Sequence, residues 1–256
     1  MPATLLEADR IAKRFGGVVA VDDVSVQVRE GTIHAVIGPN GAGKTTFFNT
    51  LTGFYFPDDG RVSFAGRDIT RMPNWQRVAA GMGRTFQTPS IFPELSVYEN
   101  LQLGIWSRAG QAFRLRAGTR AQARTVEARI DELLGFVNLT RSRSRVVAEL
   151  SHGAQRLCEI AMSLSTSPKL VLLDEPMAGL AEAETERIVG VIRDLHARLG
   201  LTVLFVEHNM RVVLSLADRI TVMDRGRVLA EGAPAEISAN DAVRDAYLGK
   251  EVVERV

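Results

Sequence analysis

The segment Gly38-Pro39-Asn40-Gly41-Ala42-Gly43-Lys44-Thr45 sets glycines, a lysine and a hydroxyl in the spacing G-x-x-x-x-G-K-[ST]. A nucleoside triphosphate carries several negative charges, and donors must reach its oxygens from very close to the backbone. Gly38, Gly41 and Gly43 permit unusual dihedrals and remove side chains that would obstruct that approach. Amides at the start of a following helix point at the phosphates and are helped by the helix dipole. Lys44 adds a point charge for the β- and γ-phosphates, and Thr45 offers a hydroxyl to Mg²⁺. Pro39, Asn40, Ala42 and Thr46 complete the expected contact set. A glycine-rich turn can also join strand and helix without a ligand; Lys-Thr in register favours the nucleotide.

A second constellation closes the apolar run Leu170-Val171-Leu172-Leu173 with two adjacent carboxylates, Asp174 and Glu175, before Pro176. Side chains alternate along a strand, so neighbours at its end can serve different ligands. Asp174 suits Mg²⁺, directly or through water, and Glu175 suits the attacking water as general base. An acidic pair at a strand end can also cap the next helix. Its partnership with a phosphate loop favours the metal and base roles.

These groups need a scaffold. Residues 32–37 read as a buried strand entering the loop, and residues 46–51 as a helix stopped at Gly53. Val24, Val26 and Val28 alternate with polar residues as in a half-buried antiparallel strand, and Pro57-Asp58-Asp59-Gly60 turns into the short strand Arg61-Val62-Ser63-Phe64. From about Pro89 to Ser163 the texture is helix-forming, with a basic stretch from 108 to 129 and a cluster at Arg141, Arg143 and Arg145. No linker or repeat marks its edges, so it reads as a helical insert. Apolar strands return at 170–173 and 202–206 around a helix from about Glu182 to Leu199, an order that implies a parallel sheet buried on both faces. A hairpin is expected at Asp224-Arg225-Gly226 and a polar helix near 241–248.

Composition narrows the classes. With 31 basic and 30 acidic residues the net charge is +1, which argues against a nucleic-acid coat. The single Cys158 excludes an internal disulfide and suits a reducing compartment; its apolar helical surroundings predict a buried structural thiol. Residues 1–14 lack the uninterrupted apolar core of a signal peptide. The longest charge-free runs, 31–43 and 45–57, are broken by glycines and polar groups, so any membrane-spanning part is expected from another chain.

Ser151 is placed to N-cap a helix in Leu150-Ser151-His152-Gly153-Ala154-Gln155. With it, the order of motifs resembles the ATP-binding subunits of ABC transporters: the phosphate loop, Thr85-Phe86-Gln87, Leu-Ser-x-Gly, Asp-Glu-Pro and Glu207-His208. The resemblance runs over nearly the whole chain. It implies an α/β fold: a P-loop NTPase, RecA-like core with a mainly parallel sheet, an N-terminal antiparallel β subdomain and an inserted α-helical subdomain. The expected division of a single domain over 1–256 is 1–88 and 164–256 for the core, 89–163 for the helical part, and 233–256 for a C-terminal tail.

The resemblance also implies roles. Phe15 stands where an aromatic stacks on adenine, with Val21 beside the nucleotide. Gln87 matches the glutamine that reaches Mg²⁺ and the attacking water, and His208 the switch histidine that meets the γ-phosphate and orders Glu175. Ser151, Gly153 and Gln155 match signature residues that touch ATP bound by a facing subunit. Three positions depart from the common pattern: His152 and Ala154 within the signature, and Ala181 where an acidic residue is usual.

The stretches Lys13 to Val21, Arg84-Thr85-Phe86-Gln87, Ile91 to Asn100 and Ala246-Tyr247-Leu248-Gly249 are similar to branched-chain amino acid importer ATPases and the related urea and amide importers. Lipopolysaccharide-export ATPases are close relatives, and soluble ATPases of iron-sulfur assembly share the architecture. The importer resemblance implies ATP and Mg²⁺ as cofactors and a second ATPase subunit, identical or different. It further implies two transmembrane permeases, an extracytoplasmic substrate-binding protein met indirectly, no nucleic acid, and a peripheral position on the cytoplasmic face of the inner membrane. The arginine-rich stretches are expected either to face permease loops or anionic headgroups, or to form a solvated face.

Overall fold

The computed structural model describes residues 3–85, 91–108 and 120–251. In chain order the first elements are β1 (Thr4–Phe15), β2 (Val18–Arg29), β3 (Ile33–Ile37), α1 (Lys44–Leu51), β4 (Asp59–Phe64), β5 (Arg67–Asp68), α2 (Asn74–Ala80) and β6 (Met82–Arg84). Next come α3 (Val97–Arg108), α4 (Arg120–Phe136), α5 (His152–Leu164), β7 (Leu170–Asp174), α6 (Glu182–Leu199) and β8 (Thr202–Val206). The chain continues through α7 (Met210–Leu216), β9 (Arg219–Asp224), β10 (Arg227–Gly232), α8 (Pro234–Ser238) and α9 (Asp241–Glu251), and 3-10 turns stand at Thr140–Ser142 and Val147–Glu149.

Two sheets result. One is antiparallel, in the order β2-β1-β4-β5, and the other runs β10-β9-β3-β8-β7-β6. All neighbours in the second are parallel except β9 with β10.

The period of two sorts the central strands between two apolar cores. Val36, Leu170, Leu172, Leu204 and Val206 turn to one face, against Phe47, Phe48 and Leu51 of α1 and the antiparallel sheet. Their neighbours Ala35, Ile37, Val171, Leu173, Val203 and Phe205 turn to the other, against α4, α5 and α6. The helical segment therefore shares a core with the central sheet. Cys158 lies fully buried in it, and desolvation pushes its thiol up to about 12.

Three arginines of the basic stretches are held by groups of the chain itself. Arg143 pairs with Glu127 and Asp131, Arg129 pairs with Glu132 and donates to the Leu164 carbonyl at 2.9 Å, and Arg145 donates to the Glu149 carbonyl at 2.8 Å. Residues 109–119 lie outside the described residues.

Arg77 pins the far end of α1. Fully buried, it donates to the carbonyls of Thr50 (2.9 Å), Leu51 (2.7 Å), Ile69 (2.8 Å) and Met72 (2.8 Å), satisfying acceptors that a helix end leaves open.

Candidate functional site

Strand order assembles the site. The phosphate loop leaves β3, His208 follows β8, Asp174 ends β7, and Thr85 follows β6. Because β3, β8, β7 and β6 are adjacent and parallel, all these departures lie along one edge, the carboxyl edge where open α/β sheets bind ligands. Gln87, the next expected member of the row, lies outside the described residues.

The phosphate loop is set by backbone. Gly38 has φ 155° and Gly43 φ 94°, and a Cβ on either would stand 2.2 Å from the Met223 carbonyl oxygen or 2.3 Å from that of Ala20. The turn between β9 and β10 braces the loop from behind: the Gly226 amide donates to the Ala42 carbonyl at 3.0 Å, and the Asp22 amide to the Gly226 carbonyl at 2.8 Å. Helix α1 starts at Lys44, two residues before the expected start, so the lysine belongs to its first turn. Its ammonium donates to the carbonyls of Gly38 (2.7 Å) and Pro39 (3.0 Å), which holds the cation at the loop. Asn40 and Thr45 are exposed, Thr46 is half-buried, and Pro39 and Ala42 are buried.

Phe15 ends β1 with 44% of its surface exposed, backed edge-on by Tyr55 at 5.2 Å between centroids. That is a usable platform for a base. Val21 corrects the expectation made for it: it is fully buried in the core of the antiparallel sheet, and the exposed apolar side chains beside Phe15 are Val18 and Val19. The β1–β2 pairing slips between Val24 and Val21, where Asp23 has φ 54°, so Val21 turns inward out of step with Val24, Val26 and Val28.

Asp174 is almost wholly buried, and its Oδ2 lies 3.5 Å from the guanidinium of Arg84. Burial pushes its carboxyl above the usual carboxylate range, while Arg84 and Arg156 pull it down and Glu175 adds to the rise. Glu175 is half-buried with φ 45°, a left-handed conformation that costs a non-glycine residue about 1–2 kcal/mol. Arg156 of α5 secures the strained turn, donating to the carbonyls of Asp174 (3.2 Å), Glu175 (2.7 Å) and Pro176 (3.1 Å) while pairing with buried Glu159. The Glu175 amide donates to the Val206 carbonyl at 3.0 Å.

The side chain of His208 is 60% exposed, with Nδ1 3.9 Å from Glu207. Glu207 itself is buried, accepting the amides of Met177 (2.9 Å) and His208 (3.2 Å), so it ties the turn after β7 to the turn after β8.

The signature residues stand at the start of α5. Ser151 caps the helix by accepting the Ala154 amide at 3.3 Å, as expected. Gly153 donates its amide to Glu184 at 3.2 Å. Gln155 turns its side-chain amide inward, donating to the carbonyls of Val147 and Leu150, both at 3.2 Å, and braces the approach to α5.

Tyr55, Arg84, Arg156, Glu184 and Glu207 act at the site with no role expected from sequence, although Arg84 and Glu207 stand within the motifs Arg84-Thr85-Phe86-Gln87 and Glu207-His208. Each acts through a residue distant in the chain, a relation that periodicity does not reveal. Glu207, beside the expected histidine, was the one within reach.

A sequence model of the family described as ABC transporter matches residues 21–178, more than half the chain. The chain belongs to that family. It is an ABC transporter ATP-binding subunit, and the ATPases of this family hydrolyse ATP. Residues 227–253 of the cassette match a second model, branched-chain amino acid ATP-binding cassette transporter. The cassette is 39% identical over 256 residues to the high-affinity branched-chain amino acid transport ATP-binding protein BraF of Pseudomonas aeruginosa, covering 98% of this chain and 100% of that one. Against LivG of Escherichia coli, of the same description, identity is 37% over 258 residues with the same coverage. A solved ATP-binding cassette of an ABC transporter in its ADP conformation superposes with a TM-score of 0.84 at 33% identity, over 97% of this chain and 100% of that one.

Proposed function

We propose that the cassette powers import of branched-chain amino acids, through ATP-driven closure onto a second ATPase subunit. End-to-end similarity to BraF and LivG carries the transport reading, since 98% of this chain aligns with 100% of theirs. Phe15 supports the adenine, the loop from Gly38 to Thr46 wraps the phosphates, and Lys44 neutralises them. Thr45, Asp174 and Gln87 are the groups to hold Mg²⁺; hydroxyl, carboxylate and amide oxygens are the hard donors this ion prefers, and Asp174 is already oriented by Arg84. The bound ion would neutralise charge building on the transferred phosphoryl group.

Glu175 accepts the proton of the attacking water as its oxygen bonds to the γ-phosphorus and the bond from that phosphorus to the bridging oxygen breaks, leaving ADP and phosphate, and His208, on the adjacent strand end, steadies the γ-phosphate. Ser151 and Gly153 serve the nucleotide of the facing subunit. Motion passes through the Gln87 segment and the helical part to two permeases at the cytoplasmic face of the inner membrane, with an extracytoplasmic binding protein delivering the solute. No helix among the described residues is long and apolar enough to cross a membrane, which fits a peripheral subunit.

Reconstitution with its own permeases and binding protein in proteoliposomes tests this. ATP-dependent leucine uptake is expected, and uptake driven equally by an unrelated solute's binding protein would reject the assignment. Glu175→Gln is expected to bind ATP and hold a closed dimer on size-exclusion chromatography, whereas Lys44→Ala loses ATP binding.

A further inference from the structure

We propose that Glu184 is a further residue of the signature half-site: it holds the Gly153 amide in the open subunit and must leave that amide before a facing phosphate can take it. This rests on the dimeric ATP site described above.

Three features of the packing lead there. Ser151 caps α5 through the Ala154 amide, so it leaves the Gly153 N–H to an acceptor from outside the turn. Glu184, in the first turn of α6, supplies that acceptor, its Oε1 lying 3.2 Å from the nitrogen. The fit depends on glycine, since a Cβ at position 153 would stand 2.7 Å from the same oxygen and 2.9 Å from the carboxyl carbon.

An N–H donates one strong hydrogen bond, and a carboxylate oxygen and a phosphate oxygen are equivalent acceptors for it. The two therefore compete for one donor. They also repel, so phosphate arrival and Glu184 departure are a single exchange. Glu184 stays favourably placed after release, because the amino-terminal turn of α6 stabilises a carboxylate. The open subunit thus keeps its buried amide satisfied, and the exchange raises the ATP concentration that closure needs.

The test uses the full chain with the second ATPase of its own transporter. The first readout is hydrogen exchange at the Gly153 amide without nucleotide; the second is the ATP midpoint for dimerisation in the Glu175→Gln background. Glu184→Ala is expected to speed exchange at Gly153 and to lower the midpoint about 3- to 10-fold. Glu186→Ala, which removes a charge from the same helix, is expected to change neither.

Unchanged exchange, or a midpoint that stays or rises, would overturn the inference while the dimer stands. A rise in particular would make Glu184 a support of the half-site. Failure of both backgrounds to dimerise at saturating ATP would instead remove the dimeric reading, and this inference with it.

Discussion

The phosphate loop and the signature turn each offer glycine amides at the start of a helix, yet they are held in opposite ways. Around the loop the neighbours are backbone: the carbonyls of Ala20 and Met223 close on Gly43 and Gly38, and Gly226 ties in behind Ala42. Around Gly153 the neighbours all belong to one side chain, the mobile carboxyl of Glu184 at 2.7–2.9 Å and its Cβ at 3.1 Å. Preorganisation is thus concentrated on the side that keeps its nucleotide. On the proposed dimeric reading, the side that engages and releases another subunit has a carboxylate contact that can rotate away.

The same substitution separates the two most sharply. Gly43→Ala forces a Cβ to 2.3 Å from a fixed carbonyl at φ 94°. It is expected to cost about 3 kcal/mol or more and to abolish nucleotide binding, as thermal unfolding and ATP titration would show. Between the two regions stands Arg156. Arg156→Met removes the guanidinium paired with buried Glu159 and the clasp on residues 174–176. A loss of about 3 kcal/mol in urea unfolding is expected, with hydrolysis falling more than ATP binding.

Acid weakens the strand that carries the phosphate loop. His34 in β3 is buried against Thr221, and desolvation lowers its pKa from 6.5 to about 3. The unfolded chain therefore binds the proton more readily, so this contribution is complete above pH 6.5 and lost as pH falls toward 3. Between pH 7 and pH 5 the loss amounts to about 2 kcal/mol, and His34→Gln is expected to flatten that part of the profile. Gly153→Ala should cost least, about 1 kcal/mol, because the Glu184 carboxyl can swing aside and only its Cβ, 3.1 Å away, must give by a few tenths of an ångström. Near-wild-type melting with weakened ATP-driven dimerisation would sharpen the contrast; a collapse like that of Gly43→Ala would erase it.

Sequence revealed the elements whose signals are local. The runs before Gly38 and Asp174, the span of α6 and the turn at Arg225-Gly226 follow from apolar pattern, length and turn residues. Strand β1 was hidden because Leu5-Leu6 breaks the alternation and its pairing slips at several points, including the stretch around Arg10 with φ 49°. Strand β6 is three residues long, too short for any period to show. Arg84 and Arg156 owe their roles to carboxylates and carbonyls reached only after the sheet closes. The same holds for Val21, where the motif's position said nothing about which face of β2 it would occupy.

The placement of β3 has a temporal consequence. The strand that delivers the phosphate loop is hydrogen-bonded to β8 and β9, with Ile33 opposite Val203 and His34 opposite Arg219. During synthesis at about 5–20 residues per second, the loop is made early and waits many seconds for both flanks. Loops between distant strands must close before those contacts repay the entropy. A ribosome-bound chain therefore carries the motif long before it carries the site, and competence for nucleotide arrives late, with the hairpin that closes behind Ala42.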